Sequence, residues 1–188
     1  TRGHLGSAIQ VAAQFQYPHI VPLLSAGEHE DLLSFTMPFI RGESLKSLVE
    51  KNGPLSVEDV VRVLYHVGEA LDYAHDAGVV HRDIKPANIF IGKEHVFVLG
   101  DFGLVYVPHR EPRITRLQGE TVGAGAFIPP ATWRGMGARL ETVKTDFDVY
   151  MLGKVLWCMV AGKPKLDREF WDEPENDLTK LFPSDPHM

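Results

Sequence analysis

The sequence predicts an α+β fold in which helices outweigh strands. Apolar residues recur at helical spacing over residues 57–77, and residues 146–161 are apolar nearly all round, as in a buried helix. Four short segments with strand-like composition complete the pattern as two candidate pairs, 21–24 with 32–37 and 89–91 with 96–99. With 188 residues, 44% of them hydrophobic, the chain is long enough for one soluble globular domain.

The first forty residues predict a short helix followed by a hairpin. Apolar positions over residues 7–16 have helical spacing, and Pro18 ends the pattern because the residue before proline avoids helical geometry. The strand segments 21–24 and 32–37 flank a polar stretch, residues 25–31, which we expect to form the turn.

The helix predicted at 57–77 has the clearest boundaries. A short helix at 44–50 precedes it and is ended by Asn52-Gly53-Pro54. Ser56, with Asp59 three residues later, resembles a capping signal, and Gly78 supplies a stop. The apolar positions in between recur at helical spacing: Val57, Val60, Val61, Leu64, Val67, Leu71 and Ala74.

The second half of the chain predicts a strand pair, an irregular loop and a buried helix. Residues 89–91 and 96–99 form the candidate strands, and residues 106–120 are basic, proline-containing and aperiodic, as in a mobile surface loop. The helix at 146–161 ends at Gly162-Lys163-Pro164, and beyond Leu166 no pattern predicts an element.

Composition narrows the functional classes. A net charge of −6 and a pI near 5.8 argue against nucleic-acid binding or a polybasic membrane contact. No apolar run approaches the roughly 20 residues of a membrane span. The single cysteine, Cys158, lies in an apolar helical pattern and predicts a buried, inert thiol; a cytoplasmic location fits. The nine histidines match no zinc spacing.

Residues 81–88, His-Arg-Asp-Ile-Lys-Pro-Ala-Asn, and the triplet Asp101-Phe102-Gly103 carry most of the functional information. Asp83 lies five residues before Asn88, and Asn88 thirteen before Asp101. The triplet alone is common by chance, but both motifs in this order are a specific signal. They resemble the catalytic and metal-binding loops of eukaryotic-like, bacterial-type serine/threonine protein kinases.

The resemblance implies a kinase-like architecture for the whole chain. Residues 1–37 would be a remnant of the small-lobe sheet, 38–40 the hinge, and 41–188 an incomplete, mostly helical large lobe. Met37 falls at the back of the adenine pocket, and Phe39 and Ile40 fall in the hinge. Phe90 falls under the adenine, although an ordinary core position explains it nearly as well.

The resemblance also implies phosphoryl transfer from ATP, with Mg²⁺, to a protein substrate. Asp83 would accept the proton of the substrate hydroxyl, and Lys85 would steady the γ-phosphate. Asn88 and Asp101 would bind the metal, because hard Mg²⁺ prefers oxygen ligands. Taken singly, such loop residues are more often turn or cap residues, and His81 has a packing role in either interpretation.

Further positions receive roles by the same resemblance. Asp148 would anchor the backbone of the catalytic loop, with an exposed helix cap as the alternative. Arg82 would pair with a phosphorylated residue of the activation segment, for which Thr115 and Thr121 are candidates or else ordinary solvent-facing threonines. Residues 123–131 fall where kinases orient the peptide substrate.

The sequence also departs from an active kinase. The glycine-rich phosphate loop and its companion lysine are expected before Thr1, and the glutamate that pairs with this lysine is replaced by Ala8. Ala131 replaces the acid that closes the activation segment, and Ala124 weakens the assignment to serine and threonine. The chain begins with threonine and is short for a kinase domain, so we expect an excerpt of a longer protein with little activity alone. A pseudokinase scaffold and a decayed gene fragment are the alternatives to an enzyme.

Overall fold

The computed structural model describes residues 13–29, 32–102, 126–129, 145–167, 170 and 172–181. Over these residues the fold is α+β and mostly helical, with two separate two-stranded antiparallel sheets. The elements, in chain order, are β1 (Ser25–His29), β2 (Leu32–Thr36), α1 (Leu45–Asn52), α2 (Val57–Asp76), β3 (Ile89–Ile91), β4 (Phe97–Leu99), α3 (Asp146–Ala161) and α4 (Leu178–Leu181).

Helix α2 is the long central helix that the apolar periodicity predicted. Ser56 caps it: its Oγ accepts from the Asp59 N–H at 3.2 Å and donates to the Asp59 carboxylate at 2.8 Å. Gly78 follows the helix with a φ of 74°, a conformation that glycine adopts without strain. One face is buried in the core: Val60, Val63, Val67, Ala70, Leu71 and Ala74.

Helix α3 is buried over most of its circumference and has the predicted bounds. Its left-handed cap, Gly162, donates its N–H to the Cys158 carbonyl. The Lys154 ammonium is buried and donates to the Leu166 carbonyl at 2.9 Å. Burial raises the pKa of the Cys158 thiol to about 12, which confirms the prediction of an unreactive cysteine.

Helices α1 and α3 meet through the connection between α1 and α2. Helix α1 is capped by Ser44 and buries Leu45 and Val49 completely. The Leu55 N–H donates to the Met159 carbonyl at 2.9 Å, which ties the connection to the last turn of α3. The predicted short helix at 44–50 is therefore confirmed, with its end two residues later.

The first hairpin corrects the sequence prediction. The predicted turn, residues 25–31, supplies strand β1, which pairs with β2 from Ser25↔Thr36 to His29↔Leu32. Ser25 and Thr36, at one end of this ladder, are exposed, and their hydroxyls hydrogen-bond at 2.5 Å. The predicted strand at 21–24 was wrong. Val21 instead donates to the Leu99 carbonyl at 2.9 Å and so lies beside β4.

The segment before the hairpin is held by aromatic packing. Residues 13–16 form a turn and an extended stretch, so the predicted helix at 7–16 does not reach its expected end; residues 7–12 lie outside the described residues. Phe15 is buried and meets the rings of Tyr73 and Phe102 edge-on, at centroid distances of 5.4 and 5.5 Å. These ring contacts explain the apolar residue at position 15.

Two further predictions concern the end of the chain and the long loop. A 3₁₀ turn at Pro174–Asn176 and helix α4 follow Leu166, where the sequence predicted no element. The predicted surface loop at 106–120 lies outside the described residues. No helix among the described residues is both long enough and apolar enough to cross a bilayer.

Candidate active site

The predicted catalytic loop is anchored by a buried carboxylate on α3. Asp148 is fully buried and accepts the backbone N–H groups of His81 and Arg82, each at 2.8 Å. The His75 Nε2, in the last turn of α2, lies 2.8 Å from the same carboxylate. This arrangement confirms the anchoring interpretation and excludes an exposed cap, because a buried carboxylate needs several donors to offset its desolvation.

The anchored loop adopts an unusual backbone conformation. Arg82 has a φ of 68° and Asp101, in the neighbouring loop, has a φ of 63°. A left-handed backbone costs a non-glycine residue about 1–2 kcal/mol. At Arg82 the bonds from its own N–H and from the preceding N–H of His81 to Asp148 supply the compensation.

His81 links the catalytic loop to the loop that carries Asp101. The ring is fully buried; its Nε2 lies 2.9 Å from the Gly100 carbonyl, and its Nδ1 accepts the Asp83 N–H at 3.2 Å. These partners assign the proton to Nε2 and leave the ring neutral. Burial lowers the pKa of His81, against the bond to Gly100 and the negative charges of Asp148, Asp83 and Asp101.

Lys85 and Asn88 each bond directly to Asp83. The Lys85 ammonium donates to both carboxylate oxygens of Asp83, at 3.0 and 2.8 Å. The Asn88 Nδ2 donates to the Asp83 carbonyl and to its Oδ2, both at 2.8 Å. Because both partners are acceptors, the amide nitrogen must face Asp83, and the Asn88 Oδ1 faces away from it.

The second hairpin places Asp101 beside this group. Strands β3 and β4 pair from Ile89↔Leu99 to Ile91↔Phe97, and the Gly100 N–H donates to the Asn88 carbonyl at 2.8 Å. Asn88 and Asp101 therefore sit at the same end of the hairpin. Among the described residues, no three His, Cys, Asp or Glu side chains cluster to hold a metal. One carboxylate and one amide oxygen suit Mg²⁺, which keeps several waters or phosphate oxygens.

The predicted adenine-binding residues occupy a more open region. Met37 is 42% and Phe39 87% exposed, and Ile40 is half-buried. The ring of Phe90 covers Gly100 so closely that a Cβ at Gly100 would lie 2.7 Å from it. That position is compatible with either a core residue or an adenine-facing one, so the nucleotide-contact roles of these four residues remain predictions.

An open groove lies elsewhere on the surface. It has a volume of about 350 Å³ and is lined in part by Glu43, Leu48 and Ile91, between α1 and the far end of β3. None of the predicted site residues lines it.

Sequence reasoning anticipated the contact of Asp148 with the loop but missed His75 and the bridge from His81 to Gly100. His75 and Asp148 are 73 positions apart, so no local motif connects them. The spacing of the two loops could have suggested a bridge from His81 to Gly100, because the β3–β4 hairpin returns the chain to the catalytic loop. Ala8, Thr115, Thr121, Ala124 and Ala131 lie outside the described residues, and so does Gly103.

Comparison with known proteins agrees with this geometry. The model of the protein kinase domain matches residues 2–182. The chain belongs to the protein kinase domain family.

The chain has bacterial relatives among curated proteins. It is 35% identical over 162 residues to a probable serine/threonine-protein kinase PknB of Bifidobacterium longum. The matched segment covers 81% of the chain and 23% of the relative. The chain is 34% identical over 155 residues to the serine/threonine-protein kinase PknE of Mycobacterium tuberculosis, covering 82% of the chain and 26% of the relative. The chain thus spans about a quarter of the length of these relatives.

Proposed function

We propose that this chain is the core of a serine/threonine protein kinase that transfers the γ-phosphoryl group of ATP to a protein hydroxyl. The observation that carries the proposal is the direct bonding of Asp83 to Lys85 and Asn88, held beside Asp101 by the His81–Gly100 bridge. Phosphoryl transfer depends on such positioning and on charge stabilisation more than on covalent chemistry. The relatives named above are serine/threonine kinases, which supports this substrate class.

Asp83 acts as the proton acceptor. Its side chain is 13% exposed, so a substrate hydroxyl can reach it, while Lys85 and Asn88 hold its orientation. The proton of the hydroxyl passes to the Asp83 carboxylate as the hydroxyl oxygen attacks the γ-phosphorus. The bond from this phosphorus to the bridging oxygen of ATP breaks, and ADP leaves with that oxygen and its electron pair. Lys85 lies 2.8 Å from Asp83 and is 26% exposed, so the same ammonium can reach a phosphate next to that hydroxyl.

Asn88 and Asp101 form the metal site. The Asn88 Oδ1 faces away from Asp83, and the Asp101 carboxylate follows Gly100 at the same end of the hairpin. When bound, Mg²⁺ neutralises negative charge on the phosphate oxygens of ATP. Oxygen donors of this kind are the ligands that Mg²⁺ prefers.

The nucleotide base binds at the exposed region around residues 37–40. We assign residues 1–37 to a remnant of the small lobe, 38–40 to the hinge and 41–188 to an incomplete large lobe. Adenine would then lie against Met37, Phe39, Ile40 and Phe90. The exposure of Met37 and Phe39 leaves both side chains accessible to a ligand.

The test uses the full-length protein with two site variants and one control. Asp83→Asn should lower transfer by about 10²- to 10⁴-fold while ATP binding stays near the parent level, because only the proton acceptor is lost. Asp101→Asn should weaken Mg²⁺-dependent nucleotide binding itself. Asp76→Asn, an exposed aspartate at the end of α2, should change neither measurement. If both site variants kept parent-level transfer, the assigned roles would be wrong.

A pseudokinase scaffold is the second candidate, favoured by Ala8 and Ala131 in place of two acidic residues of active kinases. Such a protein would be stabilised thermally by ATP, with or without Mg²⁺, and would show no transfer. For the 188 residues alone we expect little or no transfer in either case, since lost charge contacts cost orders of magnitude in rate. Turnover of about one per second or faster by this segment would contradict that expectation.

A further inference from the structure

Two stacked histidines lie away from the proposed active site. His19, in the segment 13–21, and His66, on α2, have ring centroids 4.0 Å apart and an angle of 13° between the rings. Both rings bond to the peptide groups of one residue of β4. The Phe97 carbonyl lies 3.0 Å from the His19 Nδ1, and the Phe97 N–H donates to the His66 Nδ1 at 3.1 Å.

These bonds fix where protons can sit. The Phe97 N–H can only donate, so the His66 Nδ1 must be unprotonated. The Phe97 carbonyl can only accept, so the His19 Nδ1 carries a hydrogen. A proton added to the His66 Nδ1 would face the Phe97 N–H and remove that hydrogen bond. His66 is therefore compatible with this geometry only as a neutral ring.

The groups that surround the two rings also differ. The His19 Nε2 lies 3.8 Å from the Glu69 carboxylate. His66 is faced by Arg62, Tyr65 and Glu69 of α2 and by His19, and β4 contributes the Phe97 peptide and ring. Tyr17 lies edge-on to the His19 ring. Burial lowers the pKa of His66, helped by His19 and Arg62 and opposed by Glu69. A proton gained by His66 is thus opposed by burial, by its neighbours and by the Phe97 N–H that faces its Nδ1.

The segment that contains His19 is linked through β4 to the proposed active site. His19 belongs to the segment in which Tyr17 stacks on Tyr73 of α2 at 4.7 Å. The Leu99 N–H donates to the His19 carbonyl at 2.8 Å, and Leu99 is two residues before Asp101. Loosening His19 therefore loosens the outer edge of β4, from which the proposed metal ligand extends.

We propose that His19 and His66 form an acid-sensitive latch, which closes the segment 13–21 onto α2 and β4 while His66 is neutral and releases it when His66 gains a proton. The latch opens locally: the bond from the Phe97 N–H to His66 and the ring stack are lost together. Because His66 can accept the Phe97 N–H only while its Nδ1 is unprotonated, opening becomes easier as pH falls.

Hydrogen exchange of the Phe97 amide in the full chain tests the latch. After correction for the intrinsic exchange rate, the protection factor should fall about tenfold between pH 7.5 and 5.5, because the opened His66 titrates with a pKa near 6.5. In His66→Asn, whose side-chain oxygen can accept at the δ position without titrating, the fall should be less than about twofold. The matched control is His95→Asn, an exposed histidine just before β4, which should retain the full fall.

Two results would overturn the latch: pH-independent protection of Phe97 in the parent chain, or an undiminished fall in His66→Asn. The Asp83 amide, which bonds to the buried His81, reports acid opening at the active site and should respond alike in parent and variant. If His66→Asn does not fold, an NMR titration of the parent chain decides. The His66 ring and the Phe97 amide should share one midpoint below pH 6.5; separate midpoints, or one at 6.5 or higher, would exclude the latch.

Discussion

The proposed catalytic loop, residues 81–88, and the region from residue 24 to 40 differ in how their side chains are held. His81 and Asn88 of the loop, and Asp148 of α3, have buried side chains that bond to backbone groups of the loop or of Gly100. In the second region, Leu24 is 64% and Phe39 87% exposed, and polar residues pair along the outer hairpin. The first region is specified by buried polar bonds, whereas Leu24, Met37 and Phe39 of the second are exposed to solvent.

This difference shows which part of the proposed site the described residues can hold in place. Phosphoryl transfer needs fixed positions for Asp83 and Asn88, and the buried network provides them. An adenine-binding edge needs accessible apolar side chains, and these are present without comparable support. Mutations should therefore be costly in the loop and its supports and nearly silent at residues 37–40.

Asp148→Ala should have the largest effect. It leaves the N–H groups of His81 and Arg82 without their acceptor and removes the partner of His75. At roughly 1–3 kcal/mol for each unsatisfied buried group, we expect the free energy of unfolding to fall by about 3–5 kcal/mol in urea denaturation. Asp146→Ala, two residues earlier and exposed, should cost less than about 1 kcal/mol. Equal effects of the two substitutions would show that Asp148 is not an anchor.

Gly162→Ala should come next. A Cβ there would lie 2.3–2.6 Å from atoms of Gly53 and Pro54, partly backbone, and Gly162 has a φ of 67°. Overpacking and the left-handed conformation together should lower the free energy of unfolding by about 2–4 kcal/mol. Gly153→Ala on the same helix has open space around it and should stabilise by up to about 1 kcal/mol. A neutral Gly162→Ala would mean that α3 and the α1–α2 connection are not closely packed.

The sequence predicted the tightly supported part of the fold better than the open part. The bounds of α2 and α3 followed from caps and apolar periodicity, which act within a few residues. The first hairpin was misplaced because Ser25 and Glu28 look like turn residues, while the register depends on the facing strand. The contact of His75 with Asp148 could not be predicted, since it depends on how α2 and α3 pack. The roles of Asp83, Lys85, Asn88 and Asp101 remain predictions.

The change in stability with pH should be smaller than the effects of the Asp148 and Gly162 substitutions. It should originate at His81, in the loop held by buried polar bonds. Burial lowers the pKa of His81 in the folded protein, so the unfolded chain binds more protons near pH 6. Stability is therefore complete above the unfolded pKa of about 6.5 and is lost as pH falls below it, by up to about 1.4 kcal/mol per pH unit for this group. Urea denaturation at pH 7.5, 6.5 and 5.5 measures this. Stability that rose on acidification would contradict a buried neutral His81.

Phe39→Ala should have the smallest effect of all. The side chain is 87% exposed, so its removal should change the free energy of unfolding by less than about 0.5 kcal/mol. The same substitution at Phe97, which is 1% exposed, should cost about 3–5 kcal/mol. If Phe39 lies in the hinge of a nucleotide site, its loss should instead weaken ATP binding to the full-length protein. A loss of stability above 1 kcal/mol would show that this region, like the loop, depends on its own packing.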